Sequence, residues 1–450
     1  MDAEEARRAV RATNFVTWRR QGGWEPLLIE RAEGSTFYDS SGRAYLDFAS
    51  QLVATNLGHG NAAVVEAIAR QARELTYAAP SFATRARARL SQALDEVVPA
   101  GLHHYFFSTS GTEANEAALK IARLATGRRQ VVSRPRSYHG ATAGSISVTG
   151  DFRREPVEGK GTVPGTIFAP DCYCYRCPLG LRYPSCNVAC ATEAAEKIDA
   201  AGDVAAMIVE PIVGTNGVIV PVPEYLPKIR AITRTRGVLL IADEVMTGWG
   251  RTGYWFACEP FGIVPDILTT AKGITGGYVP LGLTATSDAL RAEFEDRYFA
   301  HGHTYEAHPL TLGPAVAAIQ EYRRLGLLAK SRADGSYLLR RLQEIAAAHP
   351  SVGEVRGMGL FAAVELVRDR TTREPFSTGA DKLAGLPSVA EAVQRAMMAD
   401  GVYVLAWVSH LVIAPPLIVT REELDQGLAA LDRALAVADA QVAPTSPPHP

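Results

Sequence analysis

At 450 residues, with 47% hydrophobic residues and a formal charge of −2, the chain is too long for one small core, and its length alone suggests about three domains. Near-zero charge gives no basis for a nucleic-acid or anionic-membrane partner. The opening stretch MDAEEARRAVRATNFV has mixed charge and no apolar core of a secretory signal, and no apolar run approaches the roughly 18 residues that span a bilayer. A soluble, cytoplasmic protein is expected.

In chain order, residues 26–60 read as short strands and turns, broken at Asp39-Ser40-Ser41-Gly42. Asn61 then caps a helix with apolar positions at Val64, Val65, Ile68 and Ala69. A second helix spans roughly 84–97 and stops before Pro99. Strand and helix then alternate through 105–107, 113–125, 131–133, 146–148, 193–200, 205–210, 225–236, 238–242 and 267–270. Such alternation predicts a mostly parallel sheet with helices on both faces, an α/β architecture. From Pro309 the pattern changes to a long helix over 310–324, a strand-rich stretch and a terminal helix, read as a smaller α+β unit. The last residues, APTSPPHP, read as a frayed tail.

The stretch 238–272 organises the rest. An apolar run ends in two adjacent carboxylates, Asp243 and Glu244, and a second run delivers Lys272 followed by Gly273. Short apolar runs of this kind suit strands buried on both faces, whose carboxyl ends carry the ligand site of an open α/β sheet. An isolated lysine there would ordinarily snorkel to solvent. Paired with Asp243 it gains a chemistry. An amine with a lowered pKa can form a Schiff base with pyridoxal phosphate, and a carboxylate can hold the proton on that cofactor's pyridine nitrogen. Ser110, Gly111 and Thr112 lie between the strand HHYFF and the helix EANEAALKIARLA, where backbone amides and a positive dipole end suit a phosphate as well as they suit an ordinary helix cap.

DEVMTGWGRTG followed by AKGITGGYVPLG resembles the core of the class III aminotransferases, the ω-transaminase branch of the fold type I pyridoxal enzymes, and the likeness runs over nearly the whole chain. It implies pyridoxal 5′-phosphate as cofactor, a large domain with a seven-stranded sheet over 61–308, and a small domain built from 1–60 and 309–450. It makes Lys272 the residue that carries the cofactor and then serves as general acid/base, with Asp243 on the ring nitrogen. Ser110, Gly111 and Thr112 would meet the phosphate, Tyr138 and Val245 the two ring faces, and His139 and Glu210 the surroundings. Thr304, in HGHTYEAHPL, would reach the phosphate of the neighbouring subunit, so that a homodimer, or a dimer of dimers, shares its active sites. Relatives commonly read Ser-Gly where this chain has Glu306-Ala307.

The substrate side differs from the ornithine and γ-aminobutyrate members of the family. Where they read F-H-G-R-T this chain has Tyr138-His139-Gly140-Ala141-Thr142, and the position of the mobile arginine that many pyruvate-using amine transaminases carry ahead of Pro415-Pro416-Leu417 falls on Leu405. Carboxylate recognition then passes to Arg134, Arg136, Arg356 or His410, with Trp18, Trp24, Leu52 and Val53 at the entrance. An amine donor (a terminal amine, an ω-amino acid or taurine) and pyruvate as keto-acid acceptor are expected; an amino-group isomerase or racemase is the alternative on the same fold. Five cysteines, Cys172, Cys174, Cys177, Cys186 and Cys190, crowd one segment, which resembles an insert of one subgroup of the family that includes taurine–pyruvate and ω-amino acid–pyruvate aminotransferases. Paired cysteines can ligate zinc or an iron–sulfur cluster. Without a histidine, and with a spacing that fits no familiar site, they are expected to fill space, with no metal.

Overall fold

The structure, a computed structural model, describes residues 1–442; the expected tail at 443–450 lies outside them. Its centre is a seven-stranded sheet formed by β1 (Leu102–Ser108), β2 (Gln130–Ser133), β3 (Thr166–Phe168), β4 (Val204–Val209), β5 (Leu239–Asp243), β6 (Ile267–Thr270) and β7 (Gly282–Ser287), in the order β1-β7-β6-β5-β4-β2-β3. From β6 through β5, β4 and β2 to β3 every pairing is parallel. β7 runs antiparallel to both β6 and β1. The register sets Val209 beside Ala242 and Asp243 beside Thr269, so these strands end together. Arg134, Glu210, Asp243 and Lys272, each at or just beyond a strand's carboxyl end, are thereby brought to one edge of the sheet.

β4 is buried along its whole length, as helices on both faces require. Its Ala206 and Ile208 pack with Ile241, Ile267 and the apolar stripe Ala118, Leu119, Ile121 and Ala122 of helix Gly111–Thr126. Met207 and Val209 face the opposite layer, with Tyr225, Leu226 and Ile229 of helix Tyr225–Thr235. The residues Ile146–Val148 are not extended: they close a short helix, Ala143–Val148, whose first amides are held by the Glu116 carboxylate.

Two further sheets join the ends of the chain. The N-terminal hairpin strands Ile29–Glu33, Thr36–Asp39 and Ala44–Asp47 pair with Val402–Tyr403. Strands Val352–Gly357, Ala362–Asp369, His410–Ile413 and Leu405–Trp407 form an antiparallel sheet. Asn61 caps helix Ala62–Glu74 through its side chain, and that helix buries Val64 and Ala67 while Val65 is exposed. Among the described residues no helix is long and apolar enough to cross a membrane.

Candidate active site

Asp243 closes β5 and is buried. Its Oδ2 accepts from Asn115 Nδ2 at 2.8 Å and from His139 Nδ1 at 2.7 Å, whereas Oδ1 accepts only the Val245 amide, at 3.1 Å. Asn115, on helix Gly111–Thr126, also donates to the His139 carbonyl at 2.8 Å and accepts from Thr269 Oγ1 at 2.7 Å. Glu244 shares none of this. One step along the chain it points the other way, accepting from the Thr247 hydroxyl and the Ala257 and Cys258 amides in a dry pocket that lifts its pKa to about 7. Only one of the two adjacent carboxylates serves the site.

Lys272 stands two residues past the end of β6 and holds a left-handed backbone, φ +48°, which is uncommon for a residue with a side chain. Burial lowers its amine pKa to about 8, against the pull of Asp243 and Glu210 and with further push from Arg153 and Arg251. Glu210, just past β4, accepts the Tyr138 amide on Oε1 at 3.0 Å and the Gly214 amide on Oε2 at 2.7 Å. Burial raises its pKa, with His139 opposing.

Helix Gly111–Thr126 begins beside these groups. Ser110 caps it by accepting from the Glu113 amide, while the amides of Gly111 and Thr112 precede any intrahelical acceptor. A Cβ on Gly111 would sit 2.8 Å from both γ-carbons of Val245, so glycine is required where the helix start meets that side chain. Thr112 Oγ1 accepts the Ala141 amide at 3.3 Å. Thr304 stands elsewhere: exposed in a turn, its carbonyl accepts from Tyr77 Oη at 3.1 Å.

The carboxylate candidates fall out of place. Arg134 is fully buried and donates to the Glu210 carbonyl and Cys172 Sγ. Arg356 is locked between Glu354, Glu365 and the Gly217 carbonyl. His410, its pKa depressed to about 4 by burial, bonds the Thr215 carbonyl. Arg136 sits 3.9 Å from Asp171 and lines a cavity of about 520 Å³ whose wall also includes Asp151, Asn216 and Trp407.

The arginine that does join the site is Arg153, which the sequence reading missed. Its guanidinium lies 3.6 Å over the Tyr138 ring, 4.6 Å from Trp407 and 5.5 Å from Trp18. Asp151 grips it through Nε and Nη2, and Asn216 steadies Asp151 at 3.0 Å. Nη1 is left out of that grip. In sequence the pair is an Asp-x-Arg in the polar run GDFRRE, which carries no periodic signal and reads as solvated charge. Trp18, expected at the entrance, meets Tyr138 edge-on at 6.0 Å. Leu52 is exposed, but Val53 is sealed in an apolar cluster with Ile212 and Val412. Trp24 lines a groove beside helix Ala3–Thr13 instead of the entrance. Ala141, Thr142 and Ala143 are exposed.

Cys172, Cys174, Cys177, Cys186 and Cys190 surround a cavity of only about 20 Å³, and all are free thiols. Burial pushes Cys172 up to about 11 and Cys190 to about 12, away from the thiolate form that metals bind. Among the described residues no three His, Cys, Asp or Glu side chains are grouped to hold a metal ion.

The sequence model of the family described as Aminotransferase class-III matches residues 19–435. The chain is 36% identical over 420 residues to a leucine/methionine racemase of Thermococcus litoralis, covering 92% of this chain and 91% of that protein. It is 35% identical over 435 residues to the taurine–pyruvate aminotransferase of Bilophila wadsworthia, covering 91% and 92%. Among solved structures it superposes on the taurine:2-oxoglutarate aminotransferase of Bifidobacterium kashiwanohense, in complex with pyridoxal phosphate and glutamate, with a TM-score of 0.92 and 34% identity, covering 98% and 99%.

Proposed function

Because this chain belongs to the class III aminotransferases, fold type I enzymes that use pyridoxal phosphate, we propose that it transfers the amino group of a primary amine, an ω-amino acid or taurine to pyruvate, forming alanine. The cofactor, when bound, supplies the electron sink that makes the substrate's α-proton removable. The residues present fit it. Asp243 keeps one oxygen, Oδ1, with a single amide donor and so with acceptor capacity left for the ring N–H. The free amides at Gly111 and Thr112 suit its phosphate, and Val245 and Tyr138 suit the ring faces. Lys272, its amine made more nucleophilic by burial, would hold the cofactor and move the substrate proton. His139 and Glu210 hold Asp243 and the Tyr138 backbone in place.

The acceptor assignment is carried by Arg153. It is the one guanidinium stacked on Tyr138, and Asp151 leaves it a single uncommitted nitrogen. A monocarboxylate such as pyruvate needs one such partner. A dicarboxylate would bring a second charge into a site where Arg134 and Arg356 are already committed and where Ala141 and Leu405 supply none. Pyruvate is expected to be preferred over 2-oxoglutarate by at least about tenfold in kcat/KM, the scale of one lost charge-assisted contact. One donor, taurine or β-alanine, assayed against both acceptors decides this; equal rates would overturn it. The racemase relative supports a second reading, amino-group inversion without an acceptor. Enantiomers interconverting in the absence of any keto acid would favour it.

A homodimer with shared sites is part of the proposal. Thr304 lies beside the exposed side chains of Tyr77 and Tyr305, an apolar surface that a second copy would cover. Residues 61–308 are assigned to the cofactor domain, with 1–60 and 309–450 forming the small one in a cytoplasmic enzyme. The pairing of Ala44–Asp47 with Val402–Tyr403 supports that division.

A further inference from the structure

We infer that Asn115 is a positioning residue: it decides which oxygen of Asp243 faces the cofactor and so keeps the ring nitrogen protonated. The inference rests on the reading of Asp243 as the ring-nitrogen partner.

Asn115 is buried at one turn from the helix start, and every polar atom of its side chain is engaged. Both amide protons are donated, to Asp243 Oδ2 and to the His139 carbonyl, and its oxygen accepts from Thr269. Flipping the amide would set its oxygen against the Asp243 carboxylate and the His139 carbonyl, acceptor against acceptor, so these two partners fix which end of the amide faces them. Asp243 Oδ2 therefore carries two strong donors while Oδ1 carries one long one. A carboxylate so loaded has one oxygen neutralised by the fold and the other left for a cationic N–H. The same amide bridges helix, β6 and the loop of His139, so the direction of Asp243 is set by three elements at once. Removing the bridge leaves Oδ2 with His139 alone and lets the carboxylate turn about its Cβ–Cγ bond.

The test is Asn115→Ala, reconstituted with pyridoxal phosphate, with Asp243→Asn measured alongside. A protonated ring nitrogen puts positive charge near the cofactor's bond to Lys272 and lowers the pKa of that linkage. In Asn115→Ala the pH at which the bound cofactor's visible absorbance changes should rise by about one unit. In the same variant kcat should fall about ten- to a hundredfold with KM for the amine within about threefold, since the fault is orientation and not binding. Should Asn115→Ala fail to fold or load, Thr269→Val, which removes only the donor to Asn115, should shift the absorbance pH in the same direction by a smaller amount. An unshifted profile in whichever variant loads cofactor overturns the inference. If Asp243→Asn retains near-normal turnover, the underlying assignment of Asp243 has failed instead.

Discussion

Lys272 shows how much a single side chain depends on what surrounds it. Removed from water, its amine is held near pH 8 instead of the 10.5 of a free lysine, with Asp243 and Glu210 limiting the fall. The sign is that of a base buried neutral: above about pH 8 the folded amine is unprotonated and nucleophilic, and below it the charged form prevails. The rate at which cofactor-free protein takes up pyridoxal phosphate, followed by the visible band, should climb about tenfold per unit between pH 6 and 8 and level off above. A rate still climbing past pH 10 would mean an ordinary lysine. Lys272→Ala should give no such band at any pH. At the same scale the sequence was legible at Asp243 and Lys272, because each ends an apolar run and so announces its place at a strand end. It was not legible at Arg153, whose partner Asp151 lies two residues away in a loop and whose aromatic neighbours Tyr138, Trp407 and Trp18 come from three distant parts of the chain.

Among the elements, the strand Ala362–Asp369 carries a charge network that no local pattern foretells. Glu365 accepts from Tyr173 Oη at 3.1 Å, Arg176 Nη1 at 2.5 Å and Arg356 Nη2 at 2.6 Å, tying the cysteine-rich segment to the C-terminal sheet. Burial alone would raise its pKa; Arg356, then His410 and Arg176, overcome that and hold it at about 2. A carboxylate with a depressed folded pKa stabilises fully above its unfolded value of 4.5 and loses that contribution as pH falls towards 2. The contribution is at most about 3 kcal/mol, taken at 1.36 kcal/mol per unit. Glu365→Gln should therefore unfold at a lower temperature at pH 6, and its deficit against wild type should shrink between pH 5 and 3. A deficit that stays constant over that range would show that Glu365 does not titrate as described. The secondary elements themselves were largely legible from periodicity and caps. Asn61, Thr84 and Ser110 each cap the helix their position suggests. The exception at Ile146–Val148 has a tertiary cause, since Glu116 from another helix supplies the missing cap.

For the whole molecule, buried Arg251 joins parts far apart in sequence. It donates to Ser50 Oγ and Asn56 Oδ1 near the start of the chain and to the carbonyls of Leu360 and Pro415 near its end. The proposed second copy would extend that joining between subunits. Inactive Lys272→Ala protein mixed with Thr304→Ala protein, then dissociated and reassociated, should regain activity. Each hybrid dimer would hold one site with an intact lysine and an intact threonine from opposite chains. Activity no greater than that of the Thr304→Ala protein alone would show that each chain completes its own site.

The sequence by itself determined the alternation of strand and helix, the family and the cofactor, and it pointed to Asp243 and Lys272. All of these are written in local patterns: apolar runs that end in charge, caps, and contiguous motifs. The tertiary structure alone decided which carboxylate of the Asp243–Glu244 pair faces Lys272, that Asn115 and His139 load one oxygen of Asp243, and that Arg153 stacks on Tyr138. The physical reason is that orientation and desolvation depend on groups brought together from segments tens to hundreds of residues apart, and these leave no periodic trace in the chain that carries them.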